Sequence, residues 1–203
     1  MLVILDPAHQ KLVAGKRSPD GKLLEYLWSR ELIGMIEKRL DEIGIEHIRT
    51  SPPSEDNGKE IGLLNRCKRA NAFAKAHNGK SIFISPHVNA AGNGKWMNAR
   101  GWSVFISPTA SSNSKKLASL MAIEAGIQGI KVRVPDPDHK YWTAKFTVLQ
   151  KTSMPAILIE NLFMDNEDDV NYLLSDNGKE TLCEIIIKGI CDYFNIEYNY
   201  GRE

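Results

Sequence analysis

The sequence predicts an α/β fold: a single domain whose central sheet of about six strands, mostly parallel or mixed, is flanked by helices on both faces. Three observations carry this. Strand-like and helix-like segments alternate along the whole chain. The opening run "LVILD" (2–6) is continuously apolar, as a strand covered on both faces must be. No Pro/Gly/Ser linker, internal repeat or low-complexity segment divides the 203 residues, a length that suits one core.

The elements follow in order. After the first strand, helical spacing runs over 22–43, with Leu24, Leu27, Ile36, Leu40 and Ile43 as inward candidates. Gly44 turns the chain into a second strand in which Ile45, His47 and Arg49 alternate with Glu46 and Ile48, and "SPPSEDNG" is a loop by composition. A second helix is expected over 59–77, presenting Ile61, Leu64, Cys67, Ala70 and Phe73. "SIFIS" (81–85) reads as a third strand stopped by Pro86, and the Gly- and Asn-rich 87–101 as a loop. "WSVFIS" is a fourth strand, and "TASSNSKKLASLMAIEAGI" opens with capping residues and becomes a helix. The stretch 129–145 reads as irregular, "FTVLQ" and "AILIE" as two further strands, and 165–194 as one or two closing helices.

Composition narrows the function classes. The chain is 42% apolar and 25% charged with a net charge of +1, and its cations are scattered. That argues against a nucleic acid or an anionic membrane as the main partner, leaving room for a small local basic patch. Three cysteines without C-x-x-C spacing argue for buried thiols rather than a disulfide framework. No apolar run is long enough to span a bilayer, and no leader-like segment precedes the first strand. Cytoplasmic synthesis is therefore expected, unless a signal has been removed.

In open α/β sheets chemistry gathers at the carboxyl ends of strands. His9 follows the first strand in "DPAHQ", His87 follows the third in "PHVN", and Glu160 ends "AILIE". Two histidines and a carboxylate suit a catalytic zinc, which takes three protein ligands and leaves a fourth position to water. Glu25, after the turn "PDGK", is a second candidate carboxylate. A hydrolase of this kind needs one carboxylate as ligand and another as base, because ligation costs a carboxylate much of its basicity.

Six segments in one order then resemble a known family. "ILDPAHQ" is similar to D-P-G-H-G, "DGKLLE" to G-x-x-x-E, and "LLNRCKRAN" to L-x-x-R-x-x-x-A-N. "FISPHVNA" is similar to S-x-H-x-N, "ARGWSVFIS" to the strand that follows it, and "VLQKTSMPAILIENLFMDN" to a segment ending in E-x-G-F and S-N. The chain thus resembles, over nearly its whole length, the zinc-dependent N-acetylmuramoyl-L-alanine amidases of the amidase-3 (AmiC/CwlV-like) family. The resemblance implies one zinc per chain held by His9, Glu25 and His87, with Glu160 as catalytic acid–base. The implied substrate is peptidoglycan, cleaved between N-acetylmuramic acid and the L-alanine of the stem peptide. Ala8 and Gln10 stand where the family has glycines, and Asn161-Leu162 where it commonly has x-Gly.

Asp6 and Asn89 are candidates for orienting the ligands or the substrate, with loop capping as the competing role. His139, in "DPDHKYW", is a candidate for contacting substrate. His47 and His77 read as structural. Arg66 is expected to pair with an acidic residue or hold a loop. Trp96, Trp102, Tyr141 and Trp142 are stacking or core candidates. The expected whole is a monomeric catalytic domain filling 1–203 without a separate wall-binding domain, in an endolysin or an autolysin. The rival readings are a zinc peptidase or deacylase acting on another amide, and a non-catalytic wall-binding module.

Overall fold

A computed structural model describes residues 1–55, 59 and 61–198. Six strands form one mixed sheet in the order β2-β1-β3-β6-β4-β5. They are β1 (Leu2–Leu5), β2 (Glu46–Arg49), β3 (Ser81–Asn89), β4 (Ser103–Ile106), β5 (Trp142–Thr143) and β6 (Ala156–Phe163). The first three and β6 run parallel, while β4 pairs antiparallel to β6 and parallel to β5.

Helices cover both faces, as the alternation requires. On one face Val3, Leu5, Ile82, Ile84, Ile157 and Ile159 meet the apolar sides of α1 (Glu25–Glu42), α3 (Ser112–Ile127), α5 (Glu167–Leu174) and α6 (Asp176–Phe194). On the other, Leu2, Ile4, Phe83, Ala156 and Leu158 meet α2 (Leu63–His77) and the single turn α4 (Thr147–Gln150). Strand residues alternate between two buried faces, which is why "LVIL" carries no polar position. Cys67, Cys183 and Cys191 are free and buried in these two cores.

Several elements depart from the sequence reading. "FTVLQ" is not a strand: residues 147–150 form α4, which presents Val148 and Leu149 to the core as a helical turn does. The last strand in sheet order is instead β5, two residues within the stretch read as irregular. The second helix starts at Leu63, four residues later than expected, and residues 56–58 of the preceding loop lie outside the described residues. Leu27 and Leu64, read as inward, are 48% and 58% exposed; Trp28 takes the buried position beside Leu27, while Cys67 and Ala70 are buried as expected.

Pro86 does not stop β3, which runs on to Asn89. Its missing N–H faces β1, whose ladder with β3 ends at Leu5↔Ile84. The next rung would have run from residue 86 to the Asp6 carbonyl, and the Ser85 hydroxyl donates to that carbonyl instead, at 3.1 Å. A proline is tolerated where the ladder has already ended.

β6 carries a bulge. His87 lies opposite Glu160 but Asn89 opposite Phe163, so the β6 side has one extra residue, and Leu162 within it takes φ +63°. A β-carbon in that left-handed region costs about 1–2 kcal/mol, which explains why glycine suits this position. The usual order of truncation is therefore expected to reverse here. In thermal or denaturant unfolding, Leu162→Ala should prove about 1 kcal/mol less stable than Leu162→Gly, although glycine gives up one more buried carbon. Equal stability of the two would deny the strain.

Candidate functional site

β1, β3 and β6 are adjacent and parallel, so their carboxyl ends open on one edge of the sheet. His9 lies four residues beyond β1, His87 within the extension of β3, and Glu160 beside it on β6. Glu25 is the first residue of α1, where the positive end of the helix dipole favours a carboxylate. The structure brings all four together.

Glu25 is buried and its two oxygens divide the work. Oε1 accepts from the Val88 N–H at 3.1 Å and lies 2.9 Å from His87 Nδ1. Oε2 lies 3.4 Å from His9 Nε2 and has no hydrogen bond, a costly state for a buried carboxylate oxygen. One donor atom from each of His9, Glu25 and His87 falls within 4.8 Å of the others, and the two imidazoles meet edge to face with centroids 5.0 Å apart. A tetrahedral ion with bonds of ~2.1 Å sets its ligands roughly 3.4 Å apart, so the donors and the orphaned Oε2 fit a divalent cation of the zinc type.

Electrostatics set the carboxylates apart. Burial disfavours the charge on Glu25, but the hydrogen bond and positive charge of His87, with His9, hold its carboxyl below the usual range. Burial pushes Glu160 up to about 7, and the nearby Glu25 charge adds to this. Burial lowers His9 to about 4, keeping that imidazole neutral. At His87 burial opposes protonation, yet the Glu25 hydrogen bond and the Glu25 and Glu160 charges raise it. Glu160 Oε2 is buried without a hydrogen-bond partner, so that oxygen makes no structural contact of its own.

This has a measurable consequence for metal-depleted protein. Glu160 binds its proton more tightly folded (about 7) than unfolded (4.5), so its contribution is fully present below pH 4.5 and is lost as pH rises through 7. Glu160→Gln is expected to remove that loss, stabilising the apo protein above pH 7 by a few kcal/mol relative to the parent, with no gain at pH 4. Unfolding curves of the two proteins at both pH values test it.

The other sequence candidates sit as follows. Asp6 is fully buried and accepts from Thr50 Oγ1 (2.5 Å), Ser85 Oγ (2.8 Å) and Arg66 Nη1 (3.1 Å). Arg66 Nη1 also donates to the Pro7 carbonyl at 2.8 Å, so the pair steadies the loop that leads to His9. Asn89 Oδ1 accepts from the Ala90 N–H at 2.8 Å, a loop-capping contact. His139 is exposed, with Nδ1 2.8 Å from Asp136. His47 pairs with Asp41 and His77 with Glu46. Trp102 is fully buried, and Trp142 stacks on Phe105, whereas Trp96 is exposed on the loop after β3.

The Ala8 methyl is buried, and Gln10 Nε2 donates to Ser51 Oγ at 3.0 Å, tying the His9 loop to the chain beyond β2. His9 itself takes φ +46°. Arg30 donates to the carbonyls of Ala8 (3.1 Å) and His9 (3.0 Å). Asn161, missed in the sequence, is fully buried: its Nδ2 donates to the His87 carbonyl at 3.1 Å and its Oδ1 accepts from Trp102 Nε1 at 3.1 Å. A polar residue inside an apolar strand run was the available signal.

A mixed sheet gathers two histidines and a buried glutamate that could hold a metal ion at its carboxyl edge, next to a second, largely buried carboxylate, an arrangement compatible with a hydrolase. Comparison with known proteins narrows it. The chain belongs to the amidase-3 family, N-acetylmuramoyl-L-alanine amidase, whose profile matches residues 3–192. It is 30% identical over 203 residues to an endolysin of Bacillus phage SPP1, covering 98% of this chain and 68% of that protein. It is 27% identical over 197 residues to the N-acetylmuramoyl-L-alanine amidase CwlM of Bacillus licheniformis, covering 97% and 70%. The fold matches the catalytic domain of CwlV from Bacillus (Paenibacillus) polymyxa var. colistinus with TM-score 0.78 at 23% identity, over 97% of this chain and 99% of that one. The enzyme class is therefore that of a peptidoglycan amidase.

Proposed function

We propose that this protein hydrolyses the amide between N-acetylmuramic acid and L-alanine in peptidoglycan, using one zinc ion held by His9, Glu25 and His87 and a proton relay through Glu160. The observation that carries the reading is the gathering of those three donor sets within 4.8 Å, with Glu25 Oε2 unpartnered among them. Zinc, when bound, lowers the pKa of a water toward ~7 and polarises the scissile carbonyl.

Glu160 then does the proton work. Its pKa of about 7 lets it accept a proton from the attacking water and still release it at neutral pH. It returns that proton to the departing L-alanine amine, which leaves poorly unless protonated. Glu25, held ionised, and neutral His9 stay as ligands. Asn161 and Asp6 fix the main chain on either side, so that His9 and His87 do not drift apart as the substrate enters.

The similarity to a phage endolysin supports a lytic role on the wall once the protein reaches it. The test is digestion of purified sacculi. The expected products are intact stem peptides and glycans with free lactyl carboxylates, whereas peptide fragments would identify a peptidase of the same fold. Stripping metal with a chelator should abolish turnover, and added zinc should restore it. The holo protein should also melt higher, by about 3 kcal/mol at a zinc concentration of 100 times Kd.

A further inference from the structure

The three proposed ligands sit on three separate segments: the loop after β1, the start of α1 and the end of β3. One fully buried hydroxyl joins all of them. Ser29 lies one turn after Glu25, on the same face of α1. Its Oγ accepts from the Ala8 N–H at 3.0 Å and donates to the Pro86 carbonyl at 2.7 Å. Ala8 and Pro86 are the residues immediately before His9 and His87.

We infer that Ser29 is a positioning residue that sets the spacing of His9, Glu25 and His87 and thereby the metal affinity of the site; the inference rests on those three being the ligands. The chemistry is specific to a hydroxyl. It must accept on one side and donate on the other from a fully buried position. Pro86 has no N–H, and its carbonyl faces the gap where β1 no longer pairs, so the Ser29 bond takes the place of a ladder bond at the point where β3 begins to carry the site. Removing the hydroxyl strands a buried N–H and a buried C=O. The His9 loop and the β3 extension are then free to separate from the helix that bears Glu25.

The experiment measures zinc dissociation by competition with a chromophoric chelator, alongside Tm, kcat and KM on sacculi. Three variants are compared with the parent: Ser29→Ala, Ser29→Thr and Ser114→Ala. Ser114 is the control, a buried serine whose hydroxyl accepts from the Ala156 N–H at 3.2 Å, at the start of β6 and away from the site. Ser29→Ala is expected to bind zinc about 10–100-fold more weakly and to lose kcat with KM little changed. Ser114→Ala should lose stability but bind zinc as the parent does. Ser29→Thr, which keeps the hydroxyl, should restore zinc affinity even where its added methyl lowers Tm. Zinc affinity of Ser29→Ala within twofold of the parent overturns the inference. If Ser29→Ala does not fold, zinc binding by Ser29→Thr decides: weakening as large as 10-fold overturns it, and parent-like affinity supports it. If the parent itself binds no zinc, the ligand assignment fails, a result distinct from either.

Discussion

Glu160→Gln is expected to lower kcat on sacculi by about 10²–10⁴-fold while leaving the zinc content at one per chain. The amide is nearly the same size as the carboxyl and disturbs no hydrogen bond of Oε2, because none is made. What it removes is the ability to accept a proton at neutral pH and return it. The variant should also lose the limb of the pH–rate profile that Glu160 sets, since no group in its place titrates near 7. Metal analysis on the same preparation separates this outcome from loss of the ion. Lysis at the parental rate would show that another group carries the proton.

The second large effect is expected at the Asp6–Arg66 pair, where both side chains are almost wholly buried. Arg66→Met should destabilise the fold by about 3–5 kcal/mol, because it leaves the Asp6 charge buried without its cation. For a chain of this length that is a fall in Tm on the order of 10 °C. The double replacement of Asp6→Asn with Arg66→Met should be less costly than Arg66→Met alone, since no uncompensated charge remains. Arg66 also holds the Pro7 carbonyl, so zinc affinity is expected to fall in the same variants. A double variant worse than the sum of the two singles would show that the pair acts through packing rather than charge.

The sheet and its helices were legible because alternation of apolar runs and helical periodicity is set by burial, and burial on both faces leaves few ambiguous positions. The misreadings share a cause. "FTVLQ" has the β-branched and aromatic composition of a strand, but so short a segment does not distinguish a strand from a helical turn, and tertiary packing chose the turn. Pro86 signalled a strand end on local grounds, while the structure places its missing donor where the neighbouring strand had already stopped. His9 and His87 were picked out as residues following apolar runs and Glu160 as the end of one, although β3 and β6 run on past His87 and Glu160 to Asn89 and Phe163. Glu25 was a candidate from its turn, but only the family resemblance gave it the part of a ligand, because a glutamate at a helix start is ordinary until it is seen turned inward. Ser29 was not legible, since a buried serine declares its partners only when distant segments meet, whereas Asn161, a polar residue inside an apolar strand, carried a signal that was passed over.

The three thiols bear on where such a protein can work. Burial pushes Cys183 up to about 12 and Cys191 up to about 11, and it also raises Cys67. None is available as a thiolate for an oxidant, and no two are joined. The fold holds no disulfide that a reducing environment would break and no exposed thiol that an oxidising one would attack. Its cysteines thus leave the covalent framework the same in reducing and in oxidising surroundings.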